Sequence, residues 1–212
     1  MTTYIATATE AAALRDGSKT VIVVPVKPQP VFDNGVGKWL KNANIQEVGE
    51  QDVVIDYMIK HAPYSVGQKI GIREAWRPEN MKNHDNYEIG VRYRSDNRWK
   101  HVPDDKFYWI WANSKVADQW RSPATMPRSA IRQWPICEAV ECVRVRDMTE
   151  QHVNGVLRRD SNGFKIFIPA WGDEHTTDHT EALKQHIIAK YGQSAWDNNI
   201  YVWLVTVKNQ EK

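Results

Sequence analysis

Residues 19–26 read Lys-Thr-Val-Ile-Val-Val-Pro-Val, closed off by Gly17 before them and by Pro28 and Pro30 after. Consecutive β-branched side chains, Thr20 to Val24, are stiff at χ1 and suit a strand better than a helix. With no polar alternation, that strand is expected to be covered on both faces. Pro25 cannot donate to a ladder, so the strand belongs at a sheet edge or at a bulge. A second long strand is expected at 200–208, where Tyr201, Trp203, Val205 and Val207 alternate with Val202, Leu204 and Thr206. Shorter strands are expected at 69–76, 88–94, 107–111 (Phe-Tyr-Trp-Ile-Trp) and 136–146.

Helix signals punctuate these strands. One helix is expected over 9–15, with Thr7 or Thr9 as cap and Gly17 at its end. Another is expected from Val53 to His61, with Asp52 as cap and Val54, Tyr57, Met58 and His61 on one face. Thr149 caps a third through Leu157, with His152 where a capping box prefers Glu or Gln. Asp178 caps the last, which Gly192 stops. Residues 31–51, with Gly35, Gly37 and Gly49, read as a loop-rich insertion. The sum is an α+β chain, a small mixed β-barrel with flanking helices, expected as one domain over 1–212.

Composition narrows the function classes. A chain of 212 residues can bury a core without a staple. Its 28 basic and 26 acidic residues nearly cancel, which excludes coating duplex nucleic acid by bulk charge but leaves room for a local basic cleft. Ten tryptophans supply apolar area with one donor each, suited to a core or to stacking on bases. Cys137 and Cys142, five apart, are expected on opposite faces of a strand as reduced thiols. His175 falls in the loop before Asp178, and His179 and His186 stand about two turns apart on the helix, too far to hold one ion, so neither a metal nor another cofactor is expected. No apolar run reaches the length of a membrane span, and MTTYIATATEAAALRDG lacks a basic start and apolar centre, so a cytoplasmic protein without membrane contact is expected.

Four segments in order carry a resemblance: Gly17-Ser18-Lys19-Thr20 leading to Lys27-Pro28-Gln29-Pro30; Ile72-Arg73-Glu74-Ala75-Trp76; Met126-Pro127-Arg128-Ser129-Ala130-Ile131-Arg132; and Trp196-Asp197-Asn198-Asn199-Ile200-Tyr201-Val202-Trp203. Tyr93-Arg94-Ser95-Asp96 adds a smaller match. Together they resemble the ASCH-domain proteins of bacteriophages and prophages, in the PUA-like superfamily. The resemblance implies a PUA-like barrel with a cleft, insertions at about 31–51 and 77–106, and RNA or a modified nucleotide as ligand. Some relatives are hydrolases that deacetylate N4-acetylcytidine or cleave RNA, using a Lys, a Thr three residues later and a Glu on a later helix. Here Lys19 is present, but Ile22 stands at the hydroxyl position, Val24 where the pattern has Arg, and Val156 at the acidic position. None of the three can attack, shuttle a proton or hold a phosphate.

The expectation is therefore a binding module that has lost the hydrolase site. Its candidate ligand residues are Lys19, Arg73, Glu74, Trp76, Tyr93, Arg128, Arg132 and Trp196. Lys19, Arg128 and Arg132 would meet phosphate, and Trp76, Tyr93 and Trp196 would stack on bases. If the chain is an enzyme with a rearranged site, Lys19, Thr20 and Glu74 are the catalytic candidates. The structural alternative for Glu74 is an Arg–Glu brace. A third reading is a phage effector whose insertions grip a host protein.

Overall fold

The computed structural model describes residues 2–42, 45–83, 88–103, 119–168 and 172–209. The chain groups into two compact units built from interleaved segments. One comprises Met1–Asp16, Lys69–Pro135 and Asn209–Lys212, the other Gly17–Gln68 and Ile136–Lys208. Both are α+β. Among the described residues the strands form separate sheets of two or three strands, and none closes on itself.

In the first unit, strand β1 (Thr2–Ile5) leads to helix α1 (Ala8–Asp16). Thr7 and Glu10 form a reciprocal cap: Glu10 N–H donates to Thr7 Oγ1 and Thr7 N–H to Glu10 Oε2, both at 3.1 Å. Gly17 ends the helix at φ +81°, as expected. Strand β6 (Ile70–Arg73) pairs parallel with β1. The single strand expected over 69–76 is two, because the chain changes sheets at Glu74–Ala75. Strand β7 (Trp76–Asn83) instead opens an antiparallel sheet with β8 (Glu88–Tyr93) and β9 (Trp99–Pro103). Trp76, Val91, Tyr93 and Val102 on one face of that sheet bury against Met126, Ala130 and Ile131.

In the second unit, the expected long strands lie side by side. Strand β14 (Tyr201–Lys208) sits between β10 (Ile136–Arg144) and β2 (Val21–Pro25), so the proline strand is at an edge. Val202 and Leu204 face a core shared with Val21, Val23, Val153, Val156, Leu183 and Ile187. That core is roofed by helices α3 (Glu150–Val156), α4 (His179–Tyr191) and α5 (Gln193–Asp197). Thr149 caps α3, and His152 does take the capping-box place, its Nδ1 accepting from Thr149 N–H at 3.1 Å. Asp178 caps α4 and Gly192 ends it at φ +89°. A further antiparallel sheet joins β11 (Arg159–Asp160), β12 (Gly163–Ile168) and β13 (Gly172–Thr176), which takes His175 out of the expected loop and onto a strand.

Trp203 on the opposite face of β14 meets the segment expected to be a loop. Residues 31–50 form a three-stranded meander of β3 (Val31–Asp33), β4 (Val36–Asn42) and β5 (Ile45–Glu50). Its first turn is Asn34-Gly35, both at positive φ (47° and 83°), the two-residue hairpin turn that matches strand twist. Helix α2 (Gln51–Lys60) follows without a break. Glu50 therefore stands at its cap position, with no side-chain bond, and Asp52 lies inside the helix instead of capping it.

A one-residue shift in β10 between Cys137 and Ala139 changes the parity of the strand. Cys137 faces Val207 and Cys142 faces Trp203, so the two thiols share a face, contrary to the expected opposition. They stand four residues apart along β14, roughly 13 Å, and remain free and buried. Burial pushes the Cys142 thiol up to about 12. The expected strand at 107–111 lies outside the described residues. No described helix is long and apolar enough to cross a membrane.

Candidate functional site

The resemblance segments 72–76, 93–96 and 126–132 converge in the first unit, on a buried carboxylate. Glu74 is fully buried at the sheet change between β6 and β7. Arg132 grips it in a fork, Nε to Oε1 at 2.9 Å and Nη2 to Oε2 at 3.1 Å. The same guanidinium donates from Nη1 and Nη2 to Asp96 at 2.9 and 3.0 Å, and to Ser95 Oγ at 2.9 Å. Ser95 in turn donates to Glu74 Oε2, and Arg15 donates to Ser95 Oγ at 3.0 Å. Arg132 also lies over the Tyr93 ring, 3.8 Å from its centroid. Burial pushes the Asp96 carboxyl up, but the Arg132 hydrogen bond, the Arg98 backbone N–H and the charges of Arg132 and Arg15 outweigh it and hold it below the usual range.

Several of the candidate ligand residues serve the fold in this geometry. Arg132 engages all three of its nitrogens with Glu74, Ser95 and Asp96, so the brace takes most of its donors. The Arg–Glu brace is present, but Glu74 takes Arg132, 58 residues away, and not its neighbour Arg73. Arg73 donates from Nη1 to Ala124 O at 2.9 Å. Trp76 and Tyr93 are core residues, 0% and 1% exposed, so neither ring is presented to a base. The Tyr93 hydroxyl donates to Ala130 O at 2.7 Å, and burial raises its pKa to about 12. Arg128 alone of this group stands exposed, on a 3-10 turn over Arg128–Ala130.

The second unit holds the other two segments. Lys19 is 3% exposed, and its ammonium donates to Val156 O at 2.7 Å. Lys19 thus meets the position expected to carry an acid, but through a main-chain carbonyl. Ile22 is fully buried and paired with Val205, while Thr20 is exposed. Lys19 precedes the strand and sits by Val156, whose core includes Val21 and Val23 but not Ile22. Trp196 is half-buried against the core, with Arg146 over its ring at 5.5 Å.

What the second unit does open is a cleft of about 440 Å3, lined by Lys27, Gln29, Lys190, Tyr191, Ser194 and Asn198 among others. It is built where segments 27–30 and 196–203 meet. Gln29 Oε1 accepts from Tyr201 N–H at 2.6 Å, and its Nε2 donates to Tyr201 O at 3.0 Å and Val26 O at 2.6 Å. The glutamine is thus a clip that holds the loop to β14, not a group waiting for a ligand.

No family model, curated protein or solved structure matches this chain.

What the cleft can hold follows from its lining. Its charged residues are both lysines, with no carboxylate among the lining side chains. Lys190 Nζ stands 5.6 Å from the Tyr191 ring centroid, which places a cation beside an aromatic surface. Ser194 and Asn198 add polar groups from α5 and the turn after it. Such a pocket suits an anion joined to a flat ring. Lys27, Gln29 and Asn198 stand within the resemblance segments without being singled out as ligand residues, and nothing in the sequence marks Lys190 or Tyr191. Among the described residues no cluster of three His, Cys, Asp or Glu could hold a metal.

Proposed function

We propose that the chain is a nucleotide- or RNA-binding module of the ASCH, PUA-like kind, with its ligand in the cleft lined by Lys27, Lys190 and Tyr191. One observation carries the reading: two resemblance segments about 170 residues apart in sequence close on an open pocket whose only charged lining residues are lysines. The phosphate of a nucleotide would sit by Lys27 and Lys190, and its base by Tyr191. A PUA-like barrel belongs to the same proposal, with β10, β14 and β2 as three of its staves. Buried Ile22 and Val156, beside a Lys19 bonded to a carbonyl, favour binding over hydrolysis.

The test is calorimetric titration of nucleoside 5′-monophosphates, N4-acetylated cytidine included, into the full chain. Lys27→Ala/Lys190→Ala should weaken binding by roughly tenfold, since charge-assisted contacts of partly exposed lysines are worth about 1.4 kcal/mol together. The affinity of the wild-type chain should fall as salt rises. Binding indifferent to both lysines would remove the cleft from the proposal, and turnover of the acetylated nucleotide would replace the binding reading with a hydrolase.

A further inference from the structure

Among the described residues, the sheet β7–β8–β9 of the first unit buries one face and leaves the other outside the core. Its register sorts the side chains. Trp76 forms a backbone bridge with Arg121, Trp76 N–H to Arg121 O at 3.4 Å and Arg121 N–H to Trp76 O at 2.7 Å. In an antiparallel bridge the next residue of one strand lies opposite the preceding residue of the other, so Trp120 lies opposite Arg77. Arg77 pairs with Arg92 across β7 and β8, and Arg92 pairs with Trp99 across β8 and β9. The outward face thus carries a cross-strand row, Trp120–Arg77–Arg92–Trp99, spanning about 14 Å at the usual strand spacing.

The side chains agree with the register. The Arg77 guanidinium carbon is 5.0 Å from the Trp120 ring centroid. Arg94, whose N–H bonds Ala75 O one row along, stands 6.0 Å from the same ring. Glu79, in the next row on the same face, accepts from both Arg77 and Arg92 and holds the two guanidiniums in place. Trp99 meets His101 edge to face at 4.9 Å. Both indoles remain open to solvent, Trp120 at 38% and Trp99 at 42%, while Trp76, Val91, Tyr93 and Val102 behind them are at most 1% exposed.

We propose that this row is a binding surface for a single-stranded polynucleotide, with bases stacking on Trp120 and Trp99 and the intervening phosphates held by Arg77, Arg92 and Arg94. Exposed indoles flanking two guanidinium planes offer both flat faces and cations, the two groups that sequence-tolerant single-strand binding uses. Two carboxylates on this face, Glu79 and Glu88, offset only part of the charge of Arg77, Arg92 and Arg94, so the row stays cationic. The plainer role for the same contacts is cross-strand stapling of the sheet, which would leave the exposed ring faces idle. This surface lies in the other unit from the lysine cleft and does not rest on it.

Fluorescence anisotropy on the full chain separates these roles, using labelled RNA and DNA single strands of about ten nucleotides and the matching duplex. Trp120→Ala and Trp99→Ala should each weaken single-strand binding about tenfold, with Trp120→Phe and Trp99→Phe retaining most of it. Arg94→Gln should lower the slope of log affinity against log salt by about one. Weaker RNA than DNA binding, or the reverse, identifies the strand the surface prefers and supports the proposal either way. Single-strand binding that is absent, or unchanged in both Trp→Ala variants while their stability falls, overturns it in favour of stapling. Binding lost only in Lys27→Ala/Lys190→Ala overturns it while leaving the cleft standing. Mononucleotide binding that fails beside tryptophan-dependent strand binding does the opposite. Polyglutamate binding with the same tryptophan dependence would also overturn it, by showing an acidic-peptide surface.

Discussion

Replacing Arg132 by methionine is expected to destabilise the protein by roughly 3–5 kcal/mol, the usual cost of removing one partner from a buried ion pair. The side chain of Glu74 has no exposure to water, and that of Arg132 has 15%. Methionine fills most of the volume but returns none of the donors, so the Glu74 carboxylate loses a bidentate partner and cannot recover it from solvent. Tyr93 would lose the cation over its ring at the same time. Glu74→Gln/Arg132→Met should recover a large part of the loss, because no buried charge is then left alone. Urea unfolding followed by circular dichroism measures both, and a single-variant loss below about 1 kcal/mol would show that the network is not a brace. Two carboxylates of the same unit set an acid limb. Asp96 is held below the ordinary carboxylate range, and Glu79 is too, through hydrogen bonds from Arg92 and then Arg77 that outweigh burial. A carboxylate with a depressed folded-state pKa adds stability above its unfolded value, about 4, and loses it as pH falls through the lower one. Wild-type stability should therefore be level above about pH 5 and fall steadily below pH 4.

That brace shows where sequence reasoning stops. Local devices were legible: Gly17 and Gly192 ending helices, Thr149 and Asp178 starting them, and the run Thr20–Val24 as an edge strand ending at Pro25. Each is written within four or five residues and acts over that distance. Asn34-Gly35 was equally local, yet three glycines within 31–51 read as a loop and hid the alternation of exposed Val36, Lys38 and Leu40 with buried Gly37 and Trp39. Motif residues were found, but not their duties. Trp76 and Tyr93 carry the chemistry of a stacking wall, and only packing decides that they face inward. Arg132 has the donors of a phosphate ligand, and only a carboxylate 58 positions away decides that they are occupied. The Trp120–Arg77–Arg92–Trp99 row is a property of register across four extended segments, which no single segment encodes.

Trp39→Ala is expected to cost roughly 3–5 kcal/mol, in the range of large-to-small changes at fully buried aromatic positions. Trp39 is the inward residue of β4 and is fully buried. It meets Trp203 of β14 edge-on at 6.4 Å and Tyr57 of α2 at 6.3 Å, so one ring ties the meander to a strand and to a helix. Its Nε1–H donates to Pro28 O at 2.8 Å, and alanine leaves that carbonyl without its indole. Trp39→Phe keeps an aromatic ring and loses the donor, so its cost should be smaller. The outer face of the meander offers no substitute, because Val31, Val36 and Val48 there are more than half exposed. Pro28 lies between Lys27 and Gln29, which line the cleft, so the loss should extend to function. In thermal unfolding, Trp39→Ala should lower the midpoint well below wild type. At temperatures where the variant remains folded, nucleotide affinity should still fall, since the loop that presents Lys27 has lost the Trp39 clip and is held by Gln29 and the Val26 N–H. A variant with wild-type stability and affinity would mean that 31–50 is an accessory flap; a coupled loss would make it part of the cleft's foundation.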